Sequence, residues 1–332
     1  MTHRPGAAGA DIVIRGLTKS YGAHRVLDGI DLTVPAGSVT ALLGPNGSGK
    51  TTTVSIASTL FPADAGSVTI AGHDTVRDAR KVRSLIGVTG QSVAIDDLFT
   101  GRENLRLMGD LRHLGRGESR RRADELLERF DLVGAADRPV STYSGGMRRR
   151  LDLAMTLVST PRVIFLDEPT TGLDPRSRRV LWDIIGGLTA SGVTIFLTTQ
   201  YLEEADQLAD RIAVLDHGHI VAEGTAQDLK RRVHESEIRL SFDDDESFDA
   251  ARTLLPSARP VADARRLDLP TDDTVTAMRT TLNLLDAASI DVADVEVHTP
   301  TLDDVFFALT GSASAGADAT GYVDADDESG AA

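Results

Sequence analysis

Cysteine is absent from the 332 residues, which excludes a disulfide framework, thiolate metal sites and a cysteine nucleophile. Long apolar runs are missing too. Runs such as Val163–Leu166 are only a few residues and fall far short of the length a membrane-spanning helix needs. Met1–Ala10 is polar and Gly/Ala-rich with no apolar stretch, so no secretory signal is expected there. The default expectation is therefore the cytoplasm, with any membrane role supplied through a partner. Basic charge is also short: 35 Lys+Arg against 50 Asp+Glu leaves a net charge of −15, and nucleic acid is not an expected partner. Ordinary hydrophobic (41%) and charged (26%) contents point to a folded chain, and its length suits two or three domains.

The acidity is concentrated at one end. Residues 1–224 carry 26 Lys+Arg and 27 Asp+Glu, residues 225–310 carry 9 and 18, and residues 311–332 carry none and 5. The hydrophobic pattern changes at the same place. From Asp11 to Gly224, compact apolar runs suited to buried parallel strands (Val39–Leu43, Val163–Leu166, Val193–Leu197) alternate with helical segments. Arg178–Leu188 has one apolar face, and Ser191-Gly192 stops it before the next run, making a β–α–β unit. Residues 212–222 read as a hairpin, and the stretch between Arg102 and Val158 as a helical insertion. Beyond Gly224 come strand, helix, strand, helix and strand, over 237–242, 248–255, 266–269, 275–287 and 292–297. The expected organisation is a disordered segment 1–10, an α/β domain 11–224 with a helical subdomain at about 92–160, a small α+β domain 225–310 and a disordered acidic tail 311–332.

Gly44-Pro45-Asn46-Gly47-Ser48-Gly49-Lys50-Thr51 matches the phosphate-loop pattern G-x-x-x-x-G-K-[ST], with a strand entering and a helix leaving. Its glycines let backbone N–H groups converge on phosphate oxygens at a helix N-terminus. Lys50 supplies a full positive charge, and the Thr51 hydroxyl is a ligand for Mg²⁺. Arg162–Glu168 is an apolar strand ending in two carboxylates: Asp167 suits a hold on Mg²⁺, and Glu168 suits a general base for water. A GTPase is excluded, because none of the four lysines (Lys19, Lys50, Lys81, Lys230) follows an asparagine, as guanine recognition by Asn-Lys-x-Asp requires. Ser144-Gly145-Gly146, opening a helical run, is a second candidate anion site. The clusters Arg120–Arg122 and Arg148–Arg150 read as solvated helix faces.

In this order and spacing the motifs resemble the ATP-binding cassette (ABC) family over nearly all of residues 11–310. The resemblance implies a P-loop NTPase core with an antiparallel β edge and a helical subdomain, plus a small α+β C-terminal domain. It assigns Tyr21 to adenine stacking, Gly44–Thr52 (Thr52 included) to the phosphates, Gln91 to Mg²⁺ and water, Ser144–Gly146 to the family signature, and Asp174 to the loop Gly172-Leu173-Asp174. It further implies a head-to-tail homodimer sandwiching ATP, in which each phosphate loop faces the other copy's Ser144-Gly145-Gly146.

Three departures stand out: Tyr143 and Met147 flank the signature where Leu and Gln are common, and Gln200 occupies a switch position usually held by His. Glutamine hydrogen-bonds a phosphate but carries no positive charge, so slow turnover is expected. These variations, together with Thr301-Leu302-Asp303-Asp304-Val305-Phe306, look like the daunorubicin/doxorubicin-resistance ATP-binding subfamily. That resemblance implies a peripheral subunit on the cytoplasmic side of the membrane, powering a separate integral-membrane permease that exports hydrophobic compounds. Residues 92–104 would face the permease, and the C-terminal extension would serve regulation and assembly. Two other readings are an ABC ATPase acting on nucleic acid or ribosomes, and a slow nucleotide sensor. The single phosphate loop speaks against the first and the retained Glu168 against the second.

Overall fold

The computed structural model describes residues 10–90, 95–233, 236–271, 274–298 and 301–306. In chain order the elements begin with β1 (Ile12–Tyr21), β2 (His24–Val34), β3 (Val39–Leu43), α1 (Lys50–Ala57), β4 (Ala65–Ile70), β5 (His73–Asp74), α2 (Ala79–Leu85) and β6 (Ile86–Thr89). Then come α3 (Gly101–Leu111), α4 (Arg116–Arg129), α5 (Gly145–Thr156), β7 (Val163–Asp167), α6 (Pro175–Ala190), β8 (Thr194–Thr199), α7 (Leu202–Leu208), β9 (Arg211–Asp216) and β10 (His219–Gly224). The remainder is α8 (Ala226–Val233), β11 (Ser236–Ser241), α9 (Asp245–Leu254), β12 (Arg259–Val261), β13 (Arg266–Thr271), α10 (Thr274–Ala287) and β14 (Asp294–His298). Contacts divide the chain into two compact units, Met1–Ala226 and Gln227–Ala332.

In the first unit a six-stranded sheet runs β10-β9-β3-β8-β7-β6. Every pairing in it is parallel except the β9–β10 hairpin. Strands β3 and β7 are buried at every position, which is why they read as unbroken apolar runs rather than alternating ones. A second, antiparallel sheet runs β2-β1-β4-β5. One apolar core joins the two sheets, with Ile12, Ile14, Leu17 and Leu32 from the antiparallel side meeting Leu42, Phe165, Phe196 and Leu215 from the parallel side. Phe165 and Phe196 meet edge to face at 5.9 Å between ring centres. Of the N-terminal segment expected to be disordered, residues 1–9 lie outside the described residues. Ala10 is a correction: it is buried, and its N–H donates to Thr194 Oγ1 at 3.1 Å.

Helix boundaries follow local chemistry. Thr100 and Glu103 form a reciprocal capping box at the start of α3. Asp174 caps α6, and Pro175 sits in its first turn, where a missing N–H costs nothing. The second unit is a four-stranded antiparallel sheet, order β12-β13-β11-β14, with α9 and α10 in the β-α-β-β-α-β sequence of a split βαβ fold. Ile238, Leu240, Phe248, Leu267 and Leu285 form its core. Thr301 caps one helical turn over 302–306 through a reciprocal pair with Asp304, and Leu302 and Val305 are buried. The expected acidic tail 311–332 lies outside the described residues. No helix among the described residues is long and apolar enough to cross a membrane.

Candidate active site

The phosphate loop spans the gap between β3 and α1. Gly44 N–H donates to the Thr199 carbonyl at 3.2 Å, which pins the loop's entry to the neighbouring strand. Gly49, the residue before α1, has φ 110°, and a Cβ there would lie 2.6 Å from Leu27 Cδ2, so both backbone and space demand glycine. Asn46 and Gly47 stand exposed at the crest of the loop, while Ser48 is buried and its hydroxyl has no partner among the described residues. Lys50 has a side chain only 4% exposed; its Nζ donates to the carbonyls of Gly44 at 2.8 Å and Pro45 at 2.9 Å and lies 3.6 Å from Glu168 Oε1. Burial pulls the Lys50 pKa below its ordinary value, and the Glu168 carboxylate opposes that pull.

Strand β7 delivers Asp167 to its C-terminal tip, 3% exposed. Asp167 Oδ1 accepts from Thr198 Oγ1 at 2.5 Å and from Thr51 Oγ1 at 3.2 Å. Glu168 follows in the left-handed region, φ 47°, a conformation costing on the order of 1–3 kcal/mol that surrounding contacts must hold. Those contacts are visible: Glu168 N–H donates to the Thr198 carbonyl and to Thr198 Oγ1, both at 3.1 Å, and Thr171 Oγ1 donates to Glu168 Oε2 at 3.3 Å. Thr198, which touches both carboxylate residues, was not anticipated. The one signal for it was a hydroxyl ending the apolar run beside the strand that carries Asp167.

Oxygen donors from Thr51 and Asp167 suit a hard divalent cation, which takes few protein ligands and fills its shell with phosphates and water. Among the described residues no cluster of three or more acidic or histidine side chains makes a self-sufficient metal cage. The buried, unpartnered Ser48 hydroxyl and the buried Lys50 cation likewise fit a triphosphate in the loop.

Ser144 is the N-cap of α5 and accepts from Met147 N–H at 3.3 Å. Ser144 and Gly145 are exposed, whereas Gly146 is buried so tightly that a Cβ would lie 2.4 Å from Ser177 Oγ. Asp174 accepts from Ser177 N–H at 3.0 Å and Ser177 Oγ at 2.6 Å, bonds that hold its carboxyl below the usual range. Tyr143 is a core residue whose hydroxyl donates to the Ala135 carbonyl at 2.7 Å.

The arginine clusters correct one expectation. Arg149 is not on a solvated face: its side chain is 11% exposed and is tied to three carbonyls beside the carboxylates. Arg150 donates to the carbonyls of Phe130 and Asp131, and Arg122 to that of Leu157. Helix α5 turns Arg149 and Arg150, and α4 turns Arg122, toward carbonyl-rich segment ends, whose acceptors need donors once buried. Arg121, in contrast, is exposed and pairs with Glu118 and Glu125 on its own helix.

Part of the candidate set lines two adjoining cavities that share Asn46 and Glu168, whereas Gly44, Pro45, Ser48, Asp167, Ser144 and Gly146 line neither. One, about 360 Å³, is lined by Asn46, Gly47, Gly49, Lys50, Thr51, Thr52 and Glu168, with His24 and Val26. The other, about 700 Å³, brings Asn46, Glu168 and Gln200 together with Gly145, Arg148 and the loop Thr171–Leu173. Tyr21 lines neither cavity; it ends β1, 51% exposed, with Lys19 Nζ 5.6 Å from its ring centre. Asp174 also lines neither. Gln91 lies outside the described residues.

Residues 27–171 match the family described as ABC transporter. The daunorubicin resistance ATP-binding protein DrrA3 of Streptomyces coeruleorubidus is 50% identical over 302 residues, covering 90% of this chain and 96% of that protein. The doxorubicin resistance ATP-binding protein DrrA of Mycobacterium tuberculosis is 47% identical over 308 residues, covering 90% and 93% respectively. Among solved structures, a dimeric ATP-binding cassette in a post-hydrolysis state bound to ADP and Pi superposes with a TM-score of 0.60 at 27% identity, over 64% of this chain and 98% of that one.

Proposed function

The chain belongs to the ABC transporter family, and from that premise we propose that it is the ATPase subunit of a drug exporter, driving a separate membrane permease from the cytoplasmic face. The observation that carries this reading is the meeting of Lys50, Asp167 and Glu168 at the C-terminal ends of the interior strands β3 and β7, in a chain alike over 90% of its length to a daunorubicin resistance ATP-binding protein. The cargo class, a hydrophobic antibiotic, rests on what those relatives are named for.

Gly44–Thr52 wrap the phosphates of ATP, Lys50 balances their charge, and exposed Tyr21 stacks on the adenine. Thr51, Asp167 and Gln91 hold Mg²⁺, which when bound neutralises charge on the transferring phosphoryl group. Glu168 takes a proton from the attacking water, and Gln200, on the same cleft, hydrogen-bonds the terminal phosphate. A second copy docks head to tail, so that the exposed Ser144 and Gly145 of one protomer complete the site of its partner, as does Asp174 in the adjoining loop. Cleavage removes the charge bridging the two surfaces and lets them part.

Co-expression with a candidate permease tests the assignment. The chain should fractionate with membranes only when the permease is present, and ATP hydrolysis there should respond to a hydrophobic antibiotic. A chain that stays out of the membrane fraction beside that permease would refute the exporter reading.

A further inference from the structure

We propose that Arg149 is the positioning residue through which helix α5, the helix that carries Ser144–Gly146, sets the geometry of Glu168. The inference rests on Glu168 being the hydrolytic base. The Arg149 guanidinium spends every donor-bearing nitrogen on backbone carbonyls, three of them from two separate segments. Nε donates to the Pro169 carbonyl at 2.8 Å, Nη2 to the Asp167 carbonyl at 3.1 Å, and Nη1 to the Gly90 carbonyl at 3.0 Å. Asp167 and Pro169 are the residues on either side of Glu168, so one planar group holds the carbonyls flanking that carboxylate. Thr198 holds its N–H from the opposite strand. Together they clamp the left-handed backbone at φ 47°.

Gly90 follows β6 and immediately precedes Gln91, so the same side chain also reaches the segment entering that residue. Asp152, one turn further along α5, lies 3.3 Å from Nη1 and braces the guanidinium from behind. Only arginine offers such a fork: the lysine ammonium is a point charge without a planar set of donors. Arg149 lies five residues beyond Ser144, about 7.5 Å along the helix at 1.5 Å per residue. A displacement of the Ser144 end when another copy docks is thereby passed, through one planar guanidinium, to the carbonyls of the residues on both sides of the base.

Two full-length variants test this, Arg149→Lys and the double variant Arg149→Met with Asp152→Asn, which leaves no unpaired buried carboxylate. Phosphate release from Mg·ATP gives kcat, a fluorescent ATP analogue gives affinity, and Glu168→Gln runs alongside. The double variant should bind the analogue within about twofold of the parent and lose about 10- to 100-fold in kcat, the scale of an ångström-sized misplacement. Arg149→Lys should recover part of that loss. A folded double variant with parental kcat overturns the proposal. So does a loss of binding that parallels the loss of kcat with no recovery by lysine, and so does failure of both variants to fold, which would make Arg149 a residue of stability alone. Normal hydrolysis by Glu168→Gln would instead remove the base itself, and the role given to Arg149 would fall with it.

Discussion

Replacing Thr198 by valine keeps the shape of a fully buried side chain and removes one hydroxyl. That hydroxyl donates to Asp167 Oδ1 at 2.5 Å and accepts from Glu168 N–H at 3.1 Å. Neither partner is left bare: Asp167 keeps Thr51 Oγ1 at 3.2 Å, and Glu168 N–H keeps the Thr198 carbonyl at 3.1 Å. A hydrogen bond to a charged group contributes about 1.5–3 kcal/mol, and the surviving partners reduce the expected loss to about 1–2 kcal/mol. For a unit of this size each kcal/mol shifts the melting temperature by about 2–4 °C, so the variant should melt about 2–8 °C lower. The catalytic signature differs from the thermal one. With Asp167 free to turn, the Mg²⁺ concentration for half-maximal hydrolysis should rise several-fold while metal-free nucleotide binding stays the same. Differential scanning calorimetry and a Mg²⁺ titration of phosphate release read the two effects. Parental melting together with a parental Mg²⁺ midpoint would refute the role given to Thr198.

Glu168→Gln should lower kcat by about 10²- to 10⁴-fold, the range of a lost general base, and accumulate an ATP-bound dimer on size exclusion. Retained turnover would count against Glu168 as base. Gln200→His should raise kcat in the assembled complex by restoring a group able to carry charge beside Glu168; an unchanged rate would show that this position does not limit turnover. Burial pushes the Asp152 carboxyl up to about 6 from its ordinary 3.8, so the folded chain binds a proton there at a pH at which the unfolded chain does not. Stability from this group therefore increases as pH falls through 6 toward 4, the reverse of a carboxylate whose pKa is depressed. The melting temperature of Asp152→Asn minus that of the parent should be larger at pH 7.5 than at pH 5, and an equal difference at both would refute the assignment.

The parts of the fold legible in the sequence were those with a single physical signature. Val39–Leu43 reads as a strand and is β3 residue for residue, because a strand covered on both faces has no alternation to confuse. The hairpin at 212–222 and the helix at 178–188 were equally plain, although Asp174-Pro175 starts that helix three residues earlier than its apolar face does. Strands β1 and β2 were not picked out individually, since bulges at Ile14/Leu17 and Lys19/Ser20 break their alternation. Three-residue β12, with a proline at its centre, carries too short a pattern to read. In the site, Lys50, Asp167 and Glu168 were legible from spacing alone. Arg149 and Thr198 were not, because helical period identifies the apolar face of α5 but is silent on which polar positions meet buried carbonyls, and a strand-end threonine looks the same whether its hydroxyl meets solvent or a carboxylate.

Among the described residues strand β3 pairs only with β8 and β9, which begin at Thr194 and Arg211. The phosphate loop is thus made first, and both of its lateral supports emerge from the ribosome more than a hundred residues later. Closing such distant pairings is slow and entropically demanding. A nascent chain halted before β8 would present the loop, its lysine and both carboxylates without a formed pocket. Nucleotide capture becomes possible only once the first unit is nearly complete, so truncated translation products of this protein would not sequester ATP.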